Sequence, residues 1–157
     1  MAAGTNYNIK KYGGESVDNT RGAFAMQDSD RSSTRLAVVS AFSGVTNKLF
    51  GIAAGHSKKK ISPVDFAAVI DQSLALLRND SHEVSLKVEH AIAQMLEQTV
   101  ASHAACTDSL IQEDMIVGLG ERISALVVAS HWNIMGGRDE FVAVDLADLV
   151  DRSTLSV

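Results

Sequence analysis

The chain has 157 residues, of which 46% are hydrophobic and 21% are charged, and its formal net charge is −5. This length and composition fit one globular domain with a core of useful size. The negative charge excludes the broad basic field that a nucleic-acid backbone requires, so the basic run Lys58–Lys60 is predicted to be a solvated loop.

The lone cysteine, Cys106, excludes an intrachain disulfide and favours a reducing, cytoplasmic setting. No second pair of ligands accompanies His103 and Cys106 at metal-site spacing, so no metal site is predicted. The apolar stretches are too short to cross a bilayer. Neither a nucleic acid nor a membrane is therefore an expected partner.

Short apolar runs rich in β-branched residues predict buried strands of a mostly parallel sheet. The first strand is predicted at Ile9–Val17 and leads into a glycine turn at Gly13 and Gly14. Leu36–Ser40 is predicted to be the second strand and Phe141–Asp145 the third. Helical patterns separate these strands, and alternating strands and helices indicate an α/β layer architecture.

Helix boundaries are indicated by capping residues. After a turn at Ser43 and Gly44, Val45–Ala54 is predicted to be helical. Ser62 followed by Pro63 indicates a helix start, because serine caps the first turn and proline fits its first position. Further along, Asp108 is a candidate cap, Gly118–Gly120 a predicted interruption, and Gly136–Gly137 a predicted helix end.

The segment Lys11–Val17 is the first candidate for binding a ligand. Gly13 and Gly14 let the backbone approach a ligand closely, and their amides can point together at an anion. Lys11 adds a positive charge for phosphate oxygens. Taken alone, a glycine pair after a strand is more often a simple turn, and neither a Walker loop nor a complete dinucleotide fingerprint occurs.

Two further segments place hydroxyl or charged residues at predicted element boundaries. Ser40, Ser43 and Thr46 follow the second strand, at the edge where open α/β sheets bind ligands. Glu121 and Arg122 are adjacent in an otherwise apolar helix, where a glutamate can face a substrate ammonium group. A capped serine turn and an ordinary ion pair on a helix surface remain open alternatives.

In this order, the three segments resemble the front half of the aspartate kinases, a branch of the amino acid kinase family. That family reads Lys-Phe-Gly-Gly-Thr-Ser, Val-Val-Ser-Ala-Met-Ser-Gly-Val-Thr and Gly-Glu-Arg-Leu-Ser-Ala. The present chain has Lys-Tyr-Gly-Gly-Glu-Ser, Val-Val-Ser-Ala-Phe-Ser-Gly-Val-Thr and Gly-Glu-Arg-Ile-Ser-Ala. The resemblance spans essentially the whole chain and implies a three-layer α/β/α amino acid kinase fold, with a mostly parallel sheet flanked by helices.

The resemblance implies phosphoryl transfer from ATP, with Mg²⁺, to the β-carboxylate of L-aspartate, the first step of lysine, threonine and methionine biosynthesis. Lys11 would contact the transferred γ-phosphate and stabilise its charge. Gly13 and Gly14 would offer backbone amides, and Ser16 a hydroxyl, at the same site. The residues that would hold aspartate or shape its pocket are Ser40, Ser43, Thr46 and Glu121.

The chain departs from the family pattern at several points. Glu15 places a carboxylate beside the glycine turn at Gly13 and Gly14, which we call the phosphate turn, where the family has threonine or serine. Ala147 replaces an arginine. The later Gly-Arg-Gly-Gly-Ser-Asp stretch has no counterpart before Val157. Residues 1–157 are therefore predicted to be the N-terminal part of the kinase domain, inactive alone, without the nucleotide-binding half or the regulatory domains. The alternative is a non-catalytic relative that serves as an interaction or dimerisation module, and homo-oligomerisation is left open.

Overall fold

The computed structural model describes residues 7–19, 23–24, 34–55, 61–137 and 141–144. Within these residues, the parallel strands β1 (Tyr7–Tyr12) and β2 (Thr34–Val39) pair with Ile9 opposite Leu36 and Lys11 opposite Val38. A 3₁₀ turn, Pro63–Phe66, precedes the third helix. The helices are α1 (Gly14–Asp18), α2 (Val45–Gly55), α3 (Ala67–Asp80), α4 (His82–Ala105), α5 (Ser109–Val117) and α6 (Leu119–Gly136).

The prediction that the first strand extends to Val17 is wrong, because β1 ends at Tyr12 and a helix begins at Gly14. Gly13 keeps an extended backbone, with φ −77° and ψ 174°, and acts as the N-cap of α1. Its carbonyl accepts a hydrogen bond from the Val17 amide at 2.9 Å, which closes the first helical turn. The glycine pair therefore turns the strand directly into a helix.

The predicted strand Phe141–Asp145 is not found in the described residues either, since residues 141–144 form no strand, and Asp145 lies outside them. The first residue of this segment is held by the side chain of Asn133. Its Oδ1 accepts from the Phe141 amide at 2.8 Å, and its Nδ2 donates to the Phe141 carbonyl at 2.9 Å. Both backbone groups of Phe141 are thus bonded to a side chain and are not offered to a neighbouring strand.

The capping residues identified in the sequence do begin and end helices. Ser62 and Asp65 form a capping box in which the Ser62 amide donates to Asp65 Oδ2 at 2.9 Å. Asp108 Oδ1 accepts from the Leu110 amide at 2.9 Å and begins α5. Gly137 ends α6 in the left-handed conformation, with φ 63°, which glycine adopts without steric cost.

Helix α6 lies at the centre of the hydrophobic core. Ile123 and Val127 are fully buried, and Trp132 is 2% exposed. The indole packs edge-to-face on Tyr12, with ring centroids 5.7 Å apart, and on Phe141 at 5.1 Å. The end of β1 is therefore fixed against the helix that carries the Glu121 motif.

The two faces of the sheet differ in burial. Tyr12 is buried and Val39 is half-buried on the face toward the helices, whereas Ile9, Leu36 and Val38 are 64%, 47% and 39% exposed on the other. We call the surface formed by Ile9, Leu36 and Val38 the outer sheet face. The described residues thus place helices on one side of the sheet, and the three-layer arrangement remains a prediction.

Some sequence predictions fall outside the described residues, and these are the basic run Lys58–Lys60 and the Ala147 departure. Among the described helices, none combines the length and apolar character that a membrane span needs.

Burial raises the pKa of the Tyr12 phenol. In the unfolded chain this phenol ionises near its ordinary pKa of about 10, whereas in the folded chain it retains its proton to higher pH. The unfolded state therefore binds fewer protons in this range, and the free energy of unfolding should fall as the pH rises above about 10. Urea unfolding as a function of pH measures this slope, and Tyr12→Phe should flatten it. Equal slopes for the two proteins would contradict the assignment.

Candidate functional site

The first two motifs meet at one edge of the sheet. Gly13 and Gly14 directly follow β1, and the residues Ser40–Gly44, which we call the serine turn, directly follow β2. The Ser40 amide donates to the Tyr12 carbonyl at 3.0 Å, so the pairing continues to the last residue of β1. Because the strands are parallel, both connections leave the sheet at its carboxyl edge, where α/β proteins bind ligands.

Gly14 brings the phosphate turn into contact with the serine turn. A Cβ atom added to Gly14 would lie 3.2 Å from the carbonyl oxygen of Ala41 and 3.4 Å from Ser43 Oγ. The two backbones thus approach more closely than most side chains would allow. Ser43 Oγ consequently lies beside Gly14, the first residue of α1.

Gly120 brings the third motif to the same place. A Cβ atom at this position would be 3.0 Å from Ala41 Cβ, 3.0 Å from Leu49 Cδ1 and 3.2 Å from Val45 Cγ1. Helix α6 therefore packs directly on the serine turn and on the first turns of α2. Glu121, the next residue, is exposed. We call the place where Gly14, the serine turn and Gly120 meet the junction.

Two helices begin at this junction, namely α1 after β1 and α2 after the serine turn. Helix α6 packs beside Ala41 and is separated from α5 by Gly118 alone, which keeps a helical backbone. Helix N-termini carry partial positive charge and unpaired amide groups, which favour anions. Thr46 is half-buried in the first turn of α2, and Glu121 lies in the first turn of α6. The junction thus brings together the elements that carry the predicted ligands for anionic groups and the carboxylate predicted to face a cationic group.

The remaining predicted phosphate ligands are accessible. Lys11 and Ser16 are exposed, and Lys11 lies on the outer sheet face opposite Val38, two residues before Gly13. Glu15, the departure from the family pattern, is also exposed. Its charge is therefore screened by solvent, which reduces its repulsion of a phosphate held at the glycines.

Ser124, one helical turn beyond Glu121, has a role that was not predicted from the sequence. Its side chain is fully buried, and its Oγ accepts from the Phe42 amide in the serine turn at 3.1 Å. A polar residue on the buried face of an amphipathic helix is the signal that could have identified it. The bond joins residues 82 positions apart, so their contact could not be inferred from spacing.

Ser124→Ala should lower the free energy of unfolding by about 1–3 kcal/mol, because the buried Phe42 amide loses its acceptor. Ser73→Ala is a matched control: Ser73 is also fully buried, but its hydroxyl donates within its own helix, to the Val69 carbonyl at 2.8 Å. Urea unfolding followed by circular dichroism measures both changes. Equal losses for the two variants would show that the bond to the serine turn contributes nothing specific.

The described part of the chain contains no group of three or more histidine, cysteine, aspartate or glutamate residues placed to hold a metal ion. His103 and Cys106 lie at the C-terminal end of α4, where the Cys106 amide donates to the His103 carbonyl at 3.2 Å. The two residues therefore belong to the end of one helix and are joined by its backbone hydrogen bonding.

Comparison with solved structures gives two matches to aspartokinase III of E. coli. One structure, in complex with lysine and aspartate in the T-state, is 25% identical with a TM-score of 0.63, and the match covers 85% of this chain and 30% of that one. The other, in complex with aspartate and ADP in the R-state, is 26% identical with a TM-score of 0.59, covering 82% and 29%.

No family model matches the chain, and the search of curated proteins gives no match. The chain spans about 30% of the length of the aspartokinase III chains that it resembles. Over that length, two solved structures confirm that this chain is similar to part of an aspartokinase, as its three motifs indicated.

Proposed function

We propose that this chain provides the aspartate-binding and γ-phosphate-binding side of an aspartokinase catalytic site. The observation that supports this most strongly is the convergence of Gly14 and Gly120 on the serine turn, which brings all three motifs to one junction. The reaction is phosphoryl transfer from ATP to the β-carboxylate of L-aspartate, which yields aspartyl phosphate and ADP. Since the chain spans about 30% of aspartokinase III, we propose that turnover needs the rest of such a chain.

On the phosphate side, the proposed ligands act by charge and position. Phosphoryl transfer requires little covalent chemistry from the protein, so alignment and neutralisation of charge dominate. Lys11 would place its ammonium group on the transferred phosphate, and the Gly13 and Gly14 amides and the Ser16 hydroxyl would donate to phosphate oxygens. Mg²⁺ would accompany the nucleotide phosphates and neutralise part of their charge.

On the aspartate side, the proposed ligands match the charges of the amino acid. Thr46 and Ser43, with Ser40 shaping the pocket, would donate hydroxyl hydrogen bonds to its carboxylates near the start of α2. The Glu121 carboxylate would pair with its α-ammonium group. The β-carboxylate then lies toward Ser43, beside Gly14, where the phosphate is expected.

The role of Glu121 is tested by comparing two ligands that differ in the ammonium group. In NMR titrations of the 157-residue chain, Glu121→Gln should weaken L-aspartate binding about tenfold but leave succinate binding nearly unchanged, because succinate has no ammonium. Glu113→Gln, an exposed acid on α5, is the matched control. Equal effects of Glu121→Gln on both ligands, or no effect on L-aspartate, would refute the assignment.

A second candidate function is a non-catalytic interaction module. The outer sheet face supports this reading, because parallel sheets are normally covered on both faces. Analytical ultracentrifugation of the wild-type chain separates the two candidates. Self-association that Leu36→Asp abolishes, in a chain that does not bind L-aspartate, would favour the interaction module over the kinase site.

A further inference from the structure

The backbone N–H and C=O of Ser43 are each held by a side chain, and the two side chains come from different helices. Its amide donates to Oδ1 of Asp18, at the end of α1, at 3.2 Å. Its carbonyl accepts from Nε2 of Gln72, on α3, at 2.7 Å. Gln72 is itself oriented, since its Oε1 accepts from Lys48 Nζ at 2.7 Å. None of the side chains of Asp18, Gln72 or Lys48 belongs to the three motifs.

The next residue explains why such restraint matters. Gly44 has φ +76°, so the chain reverses direction immediately after Ser43. The turn is closed by a hydrogen bond from the Val45 amide to the Phe42 carbonyl at 3.1 Å, with Ser43 and Gly44 between them. The hydrogen bonds from Asp18 and Gln72 add a second restraint on Ser43, from outside the turn.

We propose that Asp18 and Gln72 are positioning residues that fix Ser43 between the phosphate turn and the aspartate pocket. This inference rests on the proposed function, because Ser43 Oγ lies beside Gly14, at the point where the two substrates must meet. Bound reactants react efficiently only when the reacting atoms are aligned and about 3 Å apart. Rotation of the Ser43 backbone would move the Ser43 hydroxyl away from Gly14 and change the spacing of the two substrate groups.

The two residues act through different groups, which makes their variants informative. Asp18→Leu removes the acceptor of the Ser43 amide, whereas Asp18→Asn retains an acceptor oxygen at nearly the same size. Gln72→Glu keeps the acceptor for Lys48 but replaces the donor to the Ser43 carbonyl with a second acceptor. Asp71→Leu and Gln94→Glu are matched controls, because both residues are exposed and their recorded bonds, to Arg78 and His90, avoid the serine turn.

The test combines amide NMR of the 157-residue chain with titration by L-aspartate. Asp18→Leu and Gln72→Glu should shift the Ser43 and Gly14 amide resonances and weaken L-aspartate binding roughly three- to tenfold, the range expected for one hydrogen bond. Asp18→Asn should restore most of the affinity, and the two controls should change neither readout. A role limited to stability would not produce rescue by asparagine together with a local shift at Gly14.

The outcomes distinguish this inference from the proposed function. Unchanged Ser43 and Gly14 resonances in Asp18→Leu and Gln72→Glu would overturn the positioning role, as would wild-type affinity for L-aspartate in both variants. If the wild-type chain gives no response to L-aspartate, the proposed function fails. The amide shifts at Gly14 would then still establish, or refute, the restraint of Ser43 by Asp18 and Gln72.

Discussion

Trp132→Ala should lower the free energy of unfolding by about 3–5 kcal/mol, which is the usual cost of truncating a large buried aromatic residue. The indole is 2% exposed and contacts the rings of Tyr12, Phe24 and Phe141, at centroid distances of 5.7, 6.5 and 5.1 Å. The neighbours come from separate parts of the chain, so collapse of one of them cannot fill the space. The free energy of unfolding of a whole domain is about 5–15 kcal/mol, so this loss is a large part of the total stability.

Two variants define the expected scale. Trp132→Phe keeps an aromatic ring in the same site and should cost less than Trp132→Ala. Leu110→Ala, at a position 74% exposed, should change the free energy of unfolding by less than about 0.5 kcal/mol. Circular dichroism in urea is the suitable measurement, because Trp132 is the only tryptophan and fluorescence would be lost with it. A loss for Trp132→Ala no larger than that for Leu110→Ala would contradict the central position of α6.

The elements that could be predicted from the sequence are those set by neighbouring residues. Ser62 with Pro63, Asp108 and Gly137 begin or end helices through bonds or backbone angles within a few positions, so their chemistry is visible locally. The strand predicted from Phe141 onward is not found among the described residues. The backbone groups of Phe141 bond to the side chain of Asn133, and a pattern of apolar residues carries no information about such a partner.

The same distinction applies to the candidate site. The motif residues Lys11, Ser43 and Glu121 could be named from the sequence, because the resemblance to aspartate kinases marks them. The contacts that Asp18 and Ser124 make with the serine turn could not be predicted, because they span 25 and 82 positions respectively. Such contacts exist only after the helices have packed, and their residue types are common in proteins.

The sequence shows a glycine at position 120, but it does not show why a glycine is needed there. From the sequence alone, Gly118–Gly120 predicts only an interruption of a helix. In the structure, α5 ends at Val117, α6 begins at Leu119, and Gly120 lies inside the first turn of α6. Its missing side chain is required by the contacts with Ala41 and Leu49, so the glycine serves packing at the junction.

Gly120→Val should therefore destabilise the fold and disable the site together. A Cβ at this position would lie 3.0 Å from Ala41 Cβ and 3.0 Å from Leu49 Cδ1, and valine adds two further carbons. Overpacking of this kind costs about 1–3 kcal/mol. Relief of the clash requires α6 to move away from the serine turn, which would displace Glu121 from its proposed place in the aspartate pocket. The affinity of Gly120→Val for L-aspartate should fall more than tenfold, whereas the affinity of the control variant Glu113→Gln should stay at the wild-type value.

Gly51→Val provides the matched control, because Gly51 is also helical but has no atom within 4 Å of an added Cβ. Valine has a somewhat higher helix propensity than glycine, so this change should be neutral or slightly stabilising. The same change from glycine to valine is thus expected to have different effects at the two positions, and urea unfolding with L-aspartate titration measures both variants. If Gly120→Val unfolds like Gly51→Val and still binds L-aspartate, close packing at Gly120 does not hold the junction together. If it is destabilised but binds normally, the packing stabilises the fold without positioning Glu121.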